Sequence, residues 1–318
     1  MKLYLGAIEN DSVMRVAIID MGTNTFHLLV AELGVGKFTI TYREKVPVKI
    51  GMGGINQGYI TDEAIDRALT TMRSFNNTVK EVGVEKVMAF GTSAMRNARN
   101  GEVVAKKIED ETGIKTQIIS GLKEAEYIYK GTRAAIKMRS EKCLIMDIGG
   151  GSVEFIIGNE EEIVWSHSFE IGGQRLLERF QKHDPIKLHE IENLFLFFSQ
   201  ELQPLLEALI VHKPNLLIGS SGTFDTLSDI YCMRNDIPLR ETPETPFTLK
   251  AFDEIYDELL VKDRAARMQI AGMIEMRVDM IVVACCLIKF LLRQHSFTQI
   301  RVSSYSLKEG VLASLLEK

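Results

Sequence analysis

The chain has 318 residues, which at about 150 residues per domain suggests roughly two domains. Hydrophobic residues make up 46% and charged residues 25%, a composition typical of a soluble globular protein. The net charge of −5 argues against a protein that mainly coats nucleic acid, although the local field of a cleft could still attract an anionic ligand.

Strands and helices alternate along the chain, which is typical of an α/β fold. Two triplets of β-rich runs, each separated by glycine-containing turns, predict strands at 13–20, 27–31 and 38–43, and again at 144–147, 153–158 and 162–169. Apolar residues at helical spacing predict helices at 61–82, 100–112, 123–139, 188–208, 247–260 and 272–292.

The two strand triplets contain an internal repeat. When 17–30 is aligned with 144–157, one isoleucine, the Asp20/Asp147 pair and the Gly22/Gly149 pair are identical. Each copy has an acidic residue at the end of a strand, a glycine turn and a second strand. We therefore expect two similar domains that face each other, at 1–122 and 123–305, and the C-terminal helix, 306–318, is a candidate to pack back on the first domain.

The turn of the first copy, residues 22–25 (loop 1), has the residue types of an anion site. Gly22 allows a ligand to approach the backbone closely, and successive backbone N–H groups in such a turn form an anion-binding concavity. Thr23, Asn24 and Thr25 add neutral donors, while Asp20 can hold a divalent cation or its waters. An ordinary hairpin turn would have a similar composition.

The turn of the second copy, residues 149–152 (loop 2), is the stronger signal. Three consecutive glycines cost backbone entropy, and we expect them where a ligand needs bare backbone. Asp147 and Glu154 flank them and offer hard oxygen ligands for Mg²⁺. The predicted phosphate-binding residues of this turn are Gly149, Gly150, Gly151 and Ser152.

Two further turns follow predicted strands. Residues 219–223 lie between a predicted strand at 216–218 and a predicted helix at 224–230. A glycine turn at a helix N-terminus is suited to bind an anion, and Gly222 and Thr223 are the candidate contacts. In residues 90–96, Ser93 is expected to cap the next helix, and Arg96 in its first turn can point at a bound anion. A solvated arginine is the alternative interpretation.

Glu124 is the candidate catalytic residue, because it lies in the first turn of a helix at the predicted domain junction. Glutamate in a first turn often only complements the helix dipole. Its place between two candidate phosphate loops favours a role in chemistry.

The remaining features bear on location. The four cysteines form no CxxC pair, so a zinc site is not expected, and their usage fits a reducing cytoplasm. The N-terminus is a poor signal peptide. The longest apolar run, 280–292, is shorter than the roughly 20 residues that span a bilayer. We expect a cytoplasmic protein without a membrane segment, in which this run is a core helix or part of a homodimer surface.

Taken together, these turns resemble the motifs of the exopolyphosphatase/guanosine pentaphosphate phosphohydrolase (Ppx/GppA) family, of the actin, sugar kinase and Hsp70 superfamily. Loop 1 is similar to that family's D-x-G-S-N-S, and loop 2 matches its D-I-G-G-G-S-x-E. The resemblance covers essentially the whole chain, in the short two-domain form. The motifs stand in order at 20–27, 91–96, 119–125, 147–154, 221–223 and 302–310.

The resemblance implies two ribonuclease-H-like domains with a cleft between them. It implies that Glu124 activates the attacking water and that Asp147 and Glu154, assisted by Asp20, bind Mg²⁺. Arg96 and the amides of the turns would hold phosphates. The chain departs from the family where Lys123 replaces a glutamate and where Ser304, Tyr305 and Lys308 alter the closing motif, which leaves the role of that turn open.

The function expected first is Mg²⁺-dependent release of terminal phosphate from inorganic polyphosphate. Hydrolysis of the 5′ phosphate of guanosine pentaphosphate is the alternative. An ATP-dependent kinase of the same fold and a non-enzymatic nucleotide sensor remain as further hypotheses. Retention of Glu124, Asp147 and Glu154 argues against the sensor, which has no need of a positioned base.

Overall fold

A computed structural model describes residues 13–239 and 242–317. The first twelve residues, where the sequence predicts no signal peptide, lie outside that part. The first sheet has the strand order β3-β2-β1-β4-β5, in which β1 is antiparallel to β2 and parallel to β4. Its strands are β1 (Met14–Met21), β2 (Phe26–Gly34), β3 (Lys37–Val46), β4 (Lys86–Gly91) and β5 (Thr116–Ile118).

The second sheet repeats this arrangement, with the order β8-β7-β6-β9-β11 and a short β10 added at the edge. Its first two strands are antiparallel, and β6 is parallel to β9 as β1 is to β4. The repeat in the sequence is therefore a repeat of structure. The strands are β6 (Cys143–Ile148), β7 (Val153–Gly158), β8 (Ile163–Phe169), β9 (Leu216–Ser220), β10 (Glu244–Thr245) and β11 (Gln299–Ser303).

Helices cover the outer faces of both sheets and fill the space between them. Those before β6 are α1 (Asp62–Val82), α2 (Ser93–Asn97), α3 (Gly101–Thr112) and α4 (Gly121–Ala135). Those after β8 are α5 (Gly173–Phe180), α6 (Leu188–Glu201), α7 (Gln203–His212), α8 (Ser221–Arg234), α9 (Leu249–Val261), α10 (Arg264–Met268), α11 (Glu275–Val278), α12 (Ile281–Gln294) and α13 (Leu307–Leu316).

The central strand of each sheet is buried on both faces. In β1, Ala17 and Ile19 pack into the core under α1 and α3, whereas Val16 and Ile18 face a shared core between the sheets. In that shared core, α4 and α13 contribute three buried residues each, and strands of both sheets, including β6 and β7, contribute most of the others. Burial on both faces explains why these strands are almost continuously apolar.

The C-terminal helix α13 packs chiefly on α4 and touches β1, β2 and β3 of the first sheet. The two helices approach closely because a glycine stands on each side, Gly131 in α4 and Gly310 in α13. A Cβ on Gly310 would lie 2.6 Å from the carbonyl carbon of Tyr127. The division at residue 122 stays a prediction, since α4 and α13 serve both sheets.

Two predicted helices are each divided in the structure. The helix predicted at 188–208 breaks at Leu202 into α6 and α7, and that predicted at 272–292 breaks before Ile281 into α11 and α12. Because α12 is buried from Ile281 to Ile288, this part of the run belongs to the core. Within the described residues, no single helix is long and apolar enough to cross a membrane, and α6 with α7 qualify only together, across a 66° bend.

Candidate functional site

Loops 1 and 2 lie at equivalent places in the two sheets and contact each other. In loop 1 the Gly22 N–H donates to the Thr25 carbonyl at 3.1 Å, and in loop 2 the Gly149 N–H donates to the Ser152 carbonyl at 3.0 Å. Both loops line one cavity, together with Asp20, Glu124, Asp147, Ser221 and Arg277. The cavity therefore joins parts of the chain more than two hundred residues apart.

Two glycines of loop 2 are required for a reason that differs from the one we expected. A Cβ on Gly151 would lie 2.5 Å from the Ser93 hydroxyl and would also meet Thr23, and a Cβ on Gly150 would lie 2.8 Å from the Asn24 side chain. The bare backbone is thus needed because loop 1 and α2 pack directly on loop 2. A ligand is not required to explain these two glycines.

Four carboxylates lie in or beside the cavity, of which Glu124, Asp147 and Glu154 are buried and Asp20 is half-buried. Burial raises the pKa of Asp20 to about 6 and that of Glu124 to about 7, although the Arg96 guanidinium opposes the shift at Glu124. Burial, and then the nearby Glu124, raise the pKa of Glu154 well above its usual range. Burial likewise raises the pKa of Asp147. Perturbed titratable groups of this kind cluster at functional sites.

Each of three carboxylates has a partner that fixes its orientation. Glu124, at the start of α4, accepts a hydrogen bond from Arg96 Nη1 at 2.8 Å. Asp147 accepts one from the Ser306 hydroxyl at 2.6 Å. Glu154 accepts one from the Ser168 hydroxyl at 2.7 Å.

The donor set suits a hard divalent cation. Buried carboxylates that repel one another gain from a cation, and Mg²⁺ takes one or two carboxylates while it keeps several waters. Thr23 Oγ1 and Asn24 Oδ1 are buried without a partner in the cleft, so polar groups remain there for a ligand. These residues therefore fit Mg²⁺, although Asp20, Asp147 and Glu154 do not converge within 4.8 Å as a three-carboxylate cage.

Across the described residues, the one group of three His, Cys, Asp or Glu with such close ligand atoms is His183, His189 and Glu190. Glu190 already accepts from the backbone N–H groups of Lys182 at 2.6 Å and Lys187 at 2.8 Å, and from that of His183. These contacts identify Glu190 as a residue that holds the start of α6, and its oxygens are largely occupied.

Some predicted site residues contact the site without lining the cavity. Arg96 lies behind Glu124, and Glu154 lies beside Asp147 on the neighbouring strand. Gly222 and Thr223 are in the first turn of α8, where the face of Gly222 is covered by the Arg277 guanidinium. Their assignment as phosphate or metal contacts stays a prediction.

Two local expectations were wrong. Ser93 does not cap α2, because Thr92 holds the cap position and the Ser93 hydroxyl instead donates to Glu170 at 2.6 Å. Residues 219–223 do not form a separate turn, because β9 runs to Ser220 and α8 begins at Ser221. Ser221 makes the sharp change of direction with φ of 74°.

Arg277 is a site residue that the sequence analysis missed. Its side chain is 8% exposed, its Nε has no hydrogen-bond partner, and it lines the cavity between the loops. A buried, incompletely paired guanidinium is well suited to an anion. The only sequence signal was an arginine before the apolar run that became α12, and nothing in that pattern distinguished it from a surface residue.

Comparisons with known proteins agree with this geometry. A model of the Ppx/GppA phosphatase family matches residues 29–318. Exopolyphosphatase 2 of Mycobacterium tuberculosis is 28% identical, covering 96% of this chain and 99% of that protein. The crystal structure of an exopolyphosphatase from Cytophaga hutchinsonii is 45% identical with a TM-score of 0.92, covering 96% and 98% of the two chains. That of an Aquifex aeolicus Ppx/GppA family member is 25% identical with a TM-score of 0.78, covering 96% and 98%.

Proposed function

Because the chain belongs to the Ppx/GppA phosphatase family and is a phosphoanhydride hydrolase, we propose that it is an exopolyphosphatase. It releases the terminal phosphate of inorganic polyphosphate by hydrolysis with Mg²⁺. The observation that carries the proposal is Glu124, a buried carboxylate with a pKa raised to about 7, which lines a cavity together with loops 1 and 2, the two candidate phosphate loops. Similarity to proteins named exopolyphosphatases adds support.

In the proposed reaction, the amides of loops 1 and 2 hold the oxygens of the terminal phosphate. Glu124 takes a proton from water, whose oxygen bonds to the terminal phosphorus as the bridging P–O bond breaks. A base with a pKa near neutrality is suited to this transfer. When bound, Mg²⁺ supplies charge neutralisation for the phosphate oxygens, and Asp20, Asp147 and Glu154 are the residues that would hold it.

Hydrolysis of guanosine pentaphosphate is a second candidate. It is favoured by a pocket of mixed character next to loop 1, whose wall has the apolar side chains of Met52, Leu177 and Met280 beside the charged ones of Lys49, Glu275 and Asp279. The flat faces of a guanine base are apolar and its edges carry hydrogen-bonding groups, so the base suits this mixed wall while the phosphates of the nucleotide reach the loops. Inorganic polyphosphate has no apolar group for Met52, Leu177 and Met280 to contact, although Lys49 can pair with either substrate.

The test is phosphate release with Mg²⁺ from short polyphosphate, long polyphosphate, guanosine pentaphosphate and ATP in parallel. We expect Glu124→Gln to fold normally and to lose activity by about 10²-fold or more, because general-base catalysis contributes about that much. Glu126→Gln is the matched control, since Glu126 is on the same helix and forms its ion pairs with Lys123 and Lys130, away from the cavity. Unchanged turnover in Glu124→Gln would reject Glu124 as the base, and preference for the pentaphosphate would select the second candidate.

A further inference from the structure

A network of alternating positive and negative side chains links the two halves of the protein beside the site, with Glu170 at its centre. Glu170 directly follows β8 in the second half of the chain. Its carboxylate accepts hydrogen bonds from the Ser93 hydroxyl at 2.6 Å and from Arg96 Nη2 at 3.1 Å, both on α2 in the first half. It also accepts from Arg175 Nη2 at 3.3 Å. One carboxylate therefore links the two halves and two guanidinium groups.

The two arginines lead to the two sides of the candidate site. Arg96 Nη1 donates to the proposed base, Glu124, at 2.8 Å. Arg175 Nε donates to the carbonyl of Gly151 in loop 2 at 2.8 Å, and its Nη1 donates to the Ile55 carbonyl in the first half at 2.8 Å. Glu170 is thus connected through one residue to the base and through another to loop 2.

The charged side chains of this network are partly shielded from water. The side chains of Arg96 and Arg175 are only 16% and 13% exposed, so their interactions are screened less than those of surface pairs. Without Glu170 the two guanidinium groups would repel each other, and Glu124 would remain as the single carboxylate bound to Arg96. The guanidinium would then lose the contact that holds its second nitrogen across the cleft.

We propose that Glu170 is a positioning residue, which holds Arg96 so that its guanidinium serves both Glu124 and the substrate phosphate. This role rests on the proposed phosphohydrolase function. Glu170 itself lies outside the cavity lining and does not touch the reacting atoms. A misplacement of Arg96 by about 1 Å lowers turnover strongly, because catalysis depends on the alignment of the reacting groups.

The rival interpretation is a simple tether between the two halves. The chain offers a matched control, because Asn56 Nδ2 donates to Glu178 at 3.1 Å across the same cleft without any contact to Arg96. Glu178→Gln should leave turnover unchanged. Glu170→Ala should lower kcat by about tenfold, with a smaller rise in KM. Glu170→Gln, which keeps an acceptor oxygen but loses the charge, should fall between Glu170→Ala and the parent.

A double-mutant cycle separates positioning from tethering. If Glu170 acts through Arg96, Glu170→Ala has no further effect on kcat once Arg96→Ala is present. An equal tenfold loss in both backgrounds, or no loss in either, would overturn the proposal. The thermal midpoint of each variant is measured alongside. If Glu178→Gln lowers both the midpoint and kcat, as Glu170→Ala does, the loss of kcat comes from a weakened link between the halves, and the proposal is overturned.

Binding of tripolyphosphate with Mg²⁺, measured by calorimetry, keeps this test independent of turnover. If the parent hydrolyses none of the substrates, the proposed function fails. The positioning role is still supported if Glu170→Ala weakens binding in the parent background but has no effect on binding when Arg96→Ala is already present. A parent that hydrolyses polyphosphate but shows no such coupling rejects only the role of Glu170. If the parent neither binds nor hydrolyses tripolyphosphate, both proposals fall.

Discussion

Replacement of Gly310 by alanine tests how the two halves are joined at α4 and α13. A Cβ at this position would lie 2.6 Å from the carbonyl carbon of Tyr127 and 2.9 Å from the amide nitrogen of Gly131. The Tyr127 carbonyl oxygen would lie nearer still. Ordinary contacts between such atoms are at about 3.5–4 Å, so the helices must part by at least about 1 Å. All three obstructing atoms belong to the backbone of α4, and no side chain can rotate away.

The net effect follows from two opposed contributions. Alanine is favoured over glycine by about 1 kcal/mol in a helix interior. Overpacking in a core costs about 1–3 kcal/mol, and the upper part of that range applies where backbone meets backbone. We therefore expect Gly310→Ala to lower the free energy of unfolding by about 2 kcal/mol, which for a chain of 318 residues corresponds to a fall in thermal midpoint of about 3 °C.

The assay is thermal unfolding together with phosphate release. Gly34→Ala is the control, because its nearest non-neighbouring atom, the Lys37 carbonyl oxygen, would lie 3.9 Å from the new Cβ. Activity should fall with stability in Gly310→Ala, since displacement of α13 moves Ser306, whose hydroxyl holds Asp147. A midpoint that stays unchanged or rises in Gly310→Ala would refute the argument from close packing.

Two further predictions concern the carboxylates. Burial raises the folded-state pKa of Asp20 to about 6 and of Glu124 to about 7, so the metal-free folded protein binds more protons than the unfolded chain and loses stability as pH rises through this range. In EDTA the thermal midpoint should therefore decrease as the pH is raised from about 5.5 to about 8, and the decrease should be smaller in Asp20→Asn. Addition of Mg²⁺ should raise the midpoint at the higher pH. An equal decrease in parent and variant would contradict this prediction. Ser306→Ala removes the hydrogen bond that stabilises ionised Asp147, so the Mg²⁺ concentration for half-maximal phosphate release should rise about tenfold, and an unchanged Mg²⁺ dependence would exclude the contact.

The sequence predicts the two hairpins well because the signal for them is local. An apolar run that ends in aspartate, followed by a glycine turn and a second apolar run, defines both strands and the loop between them. The same applies to α1, which begins after Thr61, because the Thr61 side chain accepts a hydrogen bond from the Ala64 N–H. The break at Leu202 is marked in the sequence by Pro204, which lies in the first turn of α7 and is unfavourable inside a helix. The break before Ile281 was missed because the apolar pattern continues through it.

The parts of the site that the sequence did not predict depend on contacts between distant segments. Glu170 meets Arg96 only when the two sheets face each other, and Arg277 reaches the cleft because Gly222 leaves room for its guanidinium. Gly151 looked like a ligand-contacting glycine, whereas it makes space for Ser93. In each case the residue type is visible in the sequence, but its neighbour is not.

The duplicated hairpins also explain why the two sides of the cleft differ. Asp20 pairs across its hairpin with His27, and Asp147 pairs at the same register with Glu154. Burial, and then Lys308, lower the pKa of His27 well below its usual value, so that imidazole is neutral, and Lys308 also offsets the charge of Asp20. Carboxylate groups are therefore concentrated on the second hairpin, where Asp147 and Glu154 lie side by side. A bound cation should accordingly depend more on Asp147 than on Asp20, and the larger loss of Mg²⁺ affinity is expected in Asp147→Asn.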